Sequence, residues 1–102
     1  IFTEFKGALT EQYVLQQLIL WYEPYYYAKT NSTQEIDFLL QDEEDEIVPL
    51  EVKAETNVKA KSLRQFVADN QPKKAYRISM NNYLQEDWVT NVPLYAVNGL
   101  DF

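Results

Sequence analysis

The sequence predicts a single α/β domain in which a mixed β-sheet is flanked by helices. The chain has 102 residues, the size of one domain, and 46% of them are hydrophobic, enough for one modest core. The hydrophobic pattern alternates between the 3.6-residue period of a helix and the two-residue period of a strand. From these changes of period we predict the order α-β-β-β-α-β-β.

The first predicted element is a helix from about residue 8 to residue 22. One face of it combines apolar residues with an acid at helical spacing: Glu11, Val14, Leu15, Leu18 and Tyr22. Glu11 either stabilises the N-terminal end of the helix by its interaction with the helix dipole or is a ligand in a functional site. Pro24 ends the helix, and the aromatic residues 25–30 predict the first strand.

Two segments of alternating hydrophobicity, around 35–41 and 47–54, predict a β-hairpin. A three-residue loop at 43–45 sets its register. Three apolar pairs then share one face: Ile36 with Val52, Phe38 with Leu50, and Leu40 with Val48. The same register places Asp37 opposite Glu51 on the other face. We therefore expect a polar face that carries two facing carboxylates.

Two further features of the hairpin concern its ends and its edges. The acidic run 42–46 is expected to be a solvated tip, and its charge protects the hairpin from pairing with another strand. Pro49 has no N–H to donate, which predicts an edge or a bulge in the strand 47–54.

The second half of the chain continues the α/β pattern. Ser62 with Gln65 forms a capping box that predicts a short helix. The residues expected to face the core from this helix are Leu63, Phe66 and Val67. Residues 75–80 and 93–97 predict two more strands, and 81–91 predict an irregular connection.

Missing residue types narrow the chemistry. The sequence contains no Cys and no His, which excludes thiol nucleophiles, thiolate zinc sites and Ser-His-Asp catalysis. Its two glycines, Gly7 and Gly99, cannot form a phosphate-binding P-loop. A bound metal would therefore be a hard cation with oxygen ligands, Mg²⁺ or Mn²⁺. The sequence has no run of 18 apolar residues and therefore no candidate membrane span. We expect a cytoplasmic protein.

The charge is unevenly distributed along the chain. The net charge is −7, of which residues 42–46 supply −5. Residues 53–77 hold seven cations against two acids, a local +5. This segment is either an ordinary solvated helix face or a patch that contacts the phosphates of DNA. The candidate DNA-binding residues are Lys59, Lys61 and Arg64.

Facing carboxylates destabilise a sheet unless a cation lies between them. Asp37 and Glu51 are therefore candidate ligands of a divalent cation, and removal of Asp37 should relieve repulsion. Glu11 becomes a third ligand if its helix packs on the same face. Lys53 would lie beside the metal and orient a water, an arrangement that suits metal-assisted phosphodiester hydrolysis. Alternatively, Lys53 pairs with Glu35 and both acids face water.

These residues resemble the PD-(D/E)XK nuclease superfamily, which has the restriction-endonuclease-like fold. The resemblance lies in Glu11, Asp37 and the sequence Glu51-Val52-Lys53 on this order of elements. It implies that Asp37 and Glu51 bind the metal, that Lys53 is the motif lysine, and that Glu11 is the helix acid. Ile36 stands where the superfamily signature has proline.

A closer resemblance covers nearly the whole chain, from Lys6 to about Leu100. The segments GALTEQYVLQQL, EIDFLL, VPLEVKAE, AKSLRQF and YRIS resemble the C-terminal domain of unknown function of prokaryotic AAA-type ATPases. The resemblance implies an N-terminal AAA-type ATPase domain in the same chain. A chain that starts at Ile1 agrees with a C-terminal fragment of such a protein.

These observations predict a Mg²⁺-dependent nuclease-like domain that acts on DNA and is fused to an AAA-type ATPase. Two alternatives stay open. One is a non-catalytic module that binds DNA or a protein partner on the same fold. The other is a scaffold that regulates or oligomerises the ATPase.

Overall fold

The computed structural model describes residues 2–54, 60–99 and 101–102. Its elements confirm the predicted mixed α/β class and add one short strand. They are α1 (Phe2–Leu18), β1 (Tyr25–Ala28), β2 (Glu35–Gln41), β3 (Ile47–Val52), α2 (Lys61–Asn70), β4 (Tyr76–Ser79), β5 (Leu84–Gln85), β6 (Thr90–Pro93) and a 3₁₀ turn (Leu94–Ala96). Within these ranges, no helix is long and apolar enough to cross a membrane.

The six described strands form one mixed sheet in the order β1-β2-β3-β4-β6-β5. β1, β2 and β3 pair antiparallel. β3, β4 and β6 run parallel to one another, and β5 pairs antiparallel with β6. The parallel part requires the crossover that α2 provides between β3 and β4.

The two helices pack on opposite faces of the sheet, each over its own hydrophobic cluster. Val14 and Leu18 of α1 join the first cluster, which also contains Phe38, Leu40, Val48, Leu50, Ile78 and Val92. Leu63 and Phe66 of α2 join the second cluster, which also contains Ile36, Ala60, Ala75 and Val89. Val67 packs against the second cluster, so the predicted core face of α2 is confirmed.

The helix boundaries differ from the prediction. α1 spans Phe2–Leu18 rather than about 8–22, because Gly7 is tolerated inside it at a cost of about 1 kcal/mol. The predicted capping box of α2 is wrong: within the part of the chain that the structure describes, no side chain caps the helix. The Ser62 hydroxyl instead accepts a hydrogen bond from the Glu35 backbone N–H at 3.3 Å. This bond fixes the first turn of α2 against the start of β2.

The predicted hairpin register is correct over most of its length. Phe38 pairs with Leu50, and Leu40 with Val48. The third predicted pair is wrong, because Ile36 lies in the second cluster, under α2. The reason is a bulge in β2 opposite β1. Tyr25 pairs with Leu39 and Tyr27 with Ile36, so three residue steps in β2 lie opposite two in β1. One extra residue reverses which side chains face each layer.

β3 is an interior strand, so the edge or bulge predicted from Pro49 is wrong. Backbone N–H groups along β3 point alternately to its two neighbouring strands. The Val52 N–H points to β2. The Lys53 N–H donates to the Ile78 carbonyl of β4 at 2.8 Å. By this alternation the nitrogen of Pro49 points toward β4. The ladder to β4 starts only at Leu50, so the proline removes no ladder bond.

The C-terminal region also departs from the prediction. Residues 81–91 contain β5 and the start of β6, and residues 94–96 form a 3₁₀ turn instead of a strand. The segment predicted to be irregular ends at Asn91, which is 1% exposed inside β6. Its side-chain oxygen accepts hydrogen bonds from Arg77 Nε and Ser79 Oγ at 3.0 and 2.7 Å. Its amide nitrogen donates to the carbonyls of Asn81 and Asn82.

Asn91→Ala is expected to destabilise the domain by about 2 kcal/mol, because it leaves buried hydrogen-bonding groups of Arg77 and Ser79 without their partner. Chemical denaturation measures the effect. The matched control is Asn98→Ala at an exposed position, which should change the free energy of unfolding by less than about 0.5 kcal/mol. Equal effects of the two substitutions would contradict a structural role for the Asn91 network.

Candidate functional site

The site lies where β2 and β3 diverge. Their ladder ends at the pair of Phe38 and Leu50. Beyond that point the Val52 backbone N–H donates to Asp37 Oδ2 at 2.8 Å. The Asp37 carboxylate thus takes the place of the β2 backbone carbonyl that would accept the next hydrogen bond of the ladder. The expectation that removal of Asp37 would simply relieve repulsion is therefore wrong, since it also deprives Val52 N–H of its acceptor.

Glu51 is the second acid of the site, and it is only 8% exposed. Its Oε1 lies 3.5 Å from Lys53 Nζ. Its Oε2 is buried and has no hydrogen-bond partner among the described residues. The alternative in which Lys53 pairs with Glu35 and both acids face water is therefore wrong.

The two carboxyl groups lie close enough that each shifts the titration of the other. Burial and the charge of Asp37 together raise the pKa of Glu51 to about 8, and the charge of Lys53 opposes this rise. Burial also raises the pKa of Asp37, against the lowering effect of its bond to Val52 N–H. Without a cation, the pair therefore retains a proton near neutral pH.

Glu11 approaches this pair from α1. Glu11 is expected to be a third ligand if α1 packs on the polar face, and this condition is not met, because Val14 and Leu18 cover the face of Phe38 and Leu40. Glu11 is also exposed rather than turned away from solvent. Partial desolvation nevertheless raises the pKa of Glu11, and the charge of Asp37 raises it further. Glu11 is thus an electrostatic neighbour of Asp37.

The described residues do not gather three acidic side chains into a preformed metal cluster. The donor set still fits a hard cation. Asp37 and Glu51 offer adjacent carboxylate oxygens, and Glu51 Oε2 is a buried acceptor without a donor. Orphaned buried acceptors are rare in folded proteins. Asp37 and Glu51 are the pair that would bind the cation, and Glu11 and Glu35 are further acids near Asp37.

The predicted DNA-binding residues have different outcomes. Lys59 lies outside the described residues. Lys61 and Arg64 are exposed one turn apart at the start of α2. The Arg64 guanidinium carbon lies 5.6 Å from the centre of the Trp88 ring, a cation–π contact that orients it.

The acidic hairpin tip is more than a solvated loop. The three-residue loop is confirmed, since the Asp42 N–H donates to the Glu46 carbonyl at 3.0 Å. Asp42 Oδ1 accepts hydrogen bonds from the N–H groups of Glu44 and Glu46. The tip is also bound to the rest of the domain by Lys74 on Asp42 at 3.1 Å and Lys73 on Glu46 at 3.4 Å. Two cations of the basic segment are thereby neutralised.

Sequence reasoning missed Tyr26. This residue of β1 lies across from the bulge that contains Asp37 and is 62% exposed. Its hydroxyl is within hydrogen-bonding reach of Glu35. Its proximity to Asp37 depends on the β1–β2 register, which one extra residue shifts, so no local pattern could indicate it.

Comparison with known families gives one match. The model of a family described as a domain of unknown function (DUF4143) matches residues 6–97. No curated protein and no solved structure matches the chain.

Proposed function

We propose that this chain, which belongs to the DUF4143 family, is a nuclease-like domain that hydrolyses phosphodiester bonds of DNA with Mg²⁺ or Mn²⁺. The family description assigns no activity, so the proposal depends on the chemistry of the site. Its sheet and helices are taken as a restriction-endonuclease-like core of the PD-(D/E)XK type.

One observation carries the proposal: Asp37 and Glu51 share a buried site in which Glu51 Oε2 has no donor among the described residues. A structural acid in this position would be expected to have its oxygens satisfied. Replacement of Glu51 by an apolar residue would avoid the cost of burying a carboxyl group beside another acid. A divalent cation would satisfy the free oxygen and remove the repulsion, as a proton does in its absence.

A bound Mg²⁺ would polarise a phosphate oxygen and lower the pKa of a coordinated water. Asp37 and Glu51 would fix it, while the Val52 N–H holds the Asp37 carboxylate in place. Lys53 is half-buried and lies 3.5 Å from Glu51, so its ammonium is positioned to stabilise negative charge that develops on the phosphate. Glu11 would add negative charge that favours cation binding.

The first turn of α2 supports contact with phosphates near this site. The Ser62 hydroxyl accepts the Glu35 N–H, which places the start of α2 two residues from Asp37 along β2. Lys61 and Arg64 are exposed on this part of the helix. We propose that they bind the DNA backbone, together with Lys59.

A non-catalytic binding role is favoured by one different observation. α1 exposes Phe5, Leu9 and Tyr13 at intervals of four residues, the spacing of one helix face. Such a stripe suits contact with another protein surface. In the full-length protein we propose that the AAA-type ATPase domain of the same chain is the partner, and this role is compatible with the nuclease proposal.

The wild-type domain is expected to cleave DNA in the presence of Mg²⁺ or Mn²⁺, whereas Glu51→Gln is expected to lose at least about 100-fold in rate because one metal ligand is removed. Gel assays on linear and branched DNA measure this. Glu44→Gln, an exposed acid at the hairpin tip, is the matched control and should retain wild-type activity. If wild type cleaves neither substrate with either cation, the binding role replaces the nuclease proposal.

A further inference from the structure

Tyr26 is an exposed aromatic side chain on the edge strand of the sheet. Among the described strands, β1 has a neighbour only on the β2 side, and Tyr26 is 62% exposed. The adjacent Tyr27 packs against the cluster under α2. By the alternation of a strand, Tyr26 projects on the face of α1.

The position of Tyr26 beside the site follows from two independent observations. The pairs of Tyr25 with Leu39 and of Tyr27 with Ile36 leave Tyr26 opposite the bulge that includes Asp37. The pKa of its phenol is raised by partial desolvation, then by the hydrogen bond to Glu35, and then by the charges of nearby acids, which include Asp37 and Glu11. The ring thus lies at the rim of the carboxylate pair.

The charges of the domain restrict the ligands that it can hold. Among the described cations, Lys29, Lys53, Lys73, Lys74 and Arg77 each lie within 4.0 Å of an acid. The chain as a whole carries a charge of −7. Duplex binding normally depends on many phosphate contacts by lysine and arginine. Stacking of bases on aromatic rings contributes affinity without such a basic surface.

We propose that Tyr26 is a stacking platform for an unpaired nucleobase next to the scissile phosphate, so that the substrate is a single-stranded or frayed segment rather than a continuous duplex. This inference rests on the proposed nuclease function. A tyrosine side chain has only two rotatable bonds that orient its ring, so little side-chain freedom is lost on binding. An exposed ring on an edge strand can accept the face of any base.

β1 also provides a matched control. Tyr25 is 58% exposed on the same strand and alternates with Tyr26, so it projects from the other face. Glu23 raises the pKa of the Tyr25 phenol, and neither Asp37 nor Glu11 contributes to that rise. Tyr25→Leu therefore removes an equivalent ring from the same strand at a distance from the carboxylates.

The test is fluorescence anisotropy with a labelled single-stranded oligothymidylate and a duplex of the same length, with and without Ca²⁺. Wild type should bind the single strand more tightly. Tyr26→Leu should weaken that binding about tenfold and change duplex binding by less than about twofold. Tyr25→Leu should bind like wild type. Tyr26→Phe, which keeps the ring, should retain most of the affinity.

In cleavage assays, Tyr26→Leu should raise KM for the single strand with little change in kcat. Equal losses for Tyr25→Leu and Tyr26→Leu, wild-type binding by Tyr26→Leu, or no single-strand binding by wild type would each overturn the stacking role. Tyr26-dependent binding without cleavage by any variant would instead retain the stacking role and reject the nuclease proposal. Thermal melts of each variant establish that it is folded.

Discussion

Glu51→Gln is expected to stabilise the metal-free domain by about 4 kcal/mol more at pH 8.5 than at pH 4.5. Burial and the charge of Asp37 raise the pKa of Glu51 from its ordinary value near 4.5 to about 8. Between these two values the folded state binds more protons than the unfolded state. Wild-type stability therefore falls as the pH rises from about 4.5 to about 8, and the neutral amide removes that loss.

Urea denaturation of wild type and Glu51→Gln across this pH range, with a chelator present, measures the difference. Glu44→Gln is the control, because its exposed side chain lies at the hairpin tip and its effect should be below about 0.5 kcal/mol at every pH. A constant difference between wild type and Glu51→Gln from pH 4.5 to 8.5 would contradict a shared proton in the carboxylate pair.

Lys53→Met is expected to reduce DNA cleavage by at least about 100-fold. The free energy of unfolding should fall by only about 1–3 kcal/mol, because buried Glu51 loses the partner of its Oε1. Methionine keeps most of the apolar stem of lysine and removes the charge. The lost charge stabilises the transition state in our proposal, whereas its contact with Glu51 is partly screened by solvent. Single-turnover cleavage rates with saturating Mn²⁺, together with thermal melts, separate the two effects.

The control for Lys53→Met is Lys73→Met. Lys73 forms an ion pair of similar length with Glu46, at 3.4 Å, in a more exposed position at the other end of β3. Its cleavage rate should remain within about twofold of wild type, in line with the small contribution of a surface ion pair. Lys53→Met activity equal to that of Lys73→Met would show that Lys53 serves only the fold.

Period-2 alternation fixes the register of β2 against β3 and predicts that Asp37 and Glu51 lie near each other. Their direct pairing across the two strands is not formed, because the ladder ends at Phe38 and Leu50. That register requires only the short hairpin loop, and two of its three apolar pairs form as expected. The position of Ile36 could not be predicted in the same way. It depends on a bulge against β1, and the pairing with β1 involves residues separated by a longer turn.

The helical spacing of Val14 and Leu18 predicts which side of α1 is buried, but not which face of the sheet receives it. α1 covers Phe38 and Leu40, and Glu11 reaches the neighbourhood of Asp37 only because Asp37 lies in the bulge. The network around Asn91 was equally unpredictable, since its partners come from β4 and the turn before β5. Long-range pairing decides these features, and local pattern does not encode it.

X-ray diffraction from a Mn²⁺-soaked crystal of the wild-type domain, at a wavelength where manganese scatters anomalously, tests most directly whether Asp37 and Glu51 hold a divalent cation. We expect an anomalous peak about 2.0–2.6 Å from oxygens of both carboxylates, the range of hard-cation ligation, and none in a Glu51→Gln crystal. A wild-type crystal without this peak, from protein whose melting temperature Mn²⁺ leaves unchanged, would contradict the metal site.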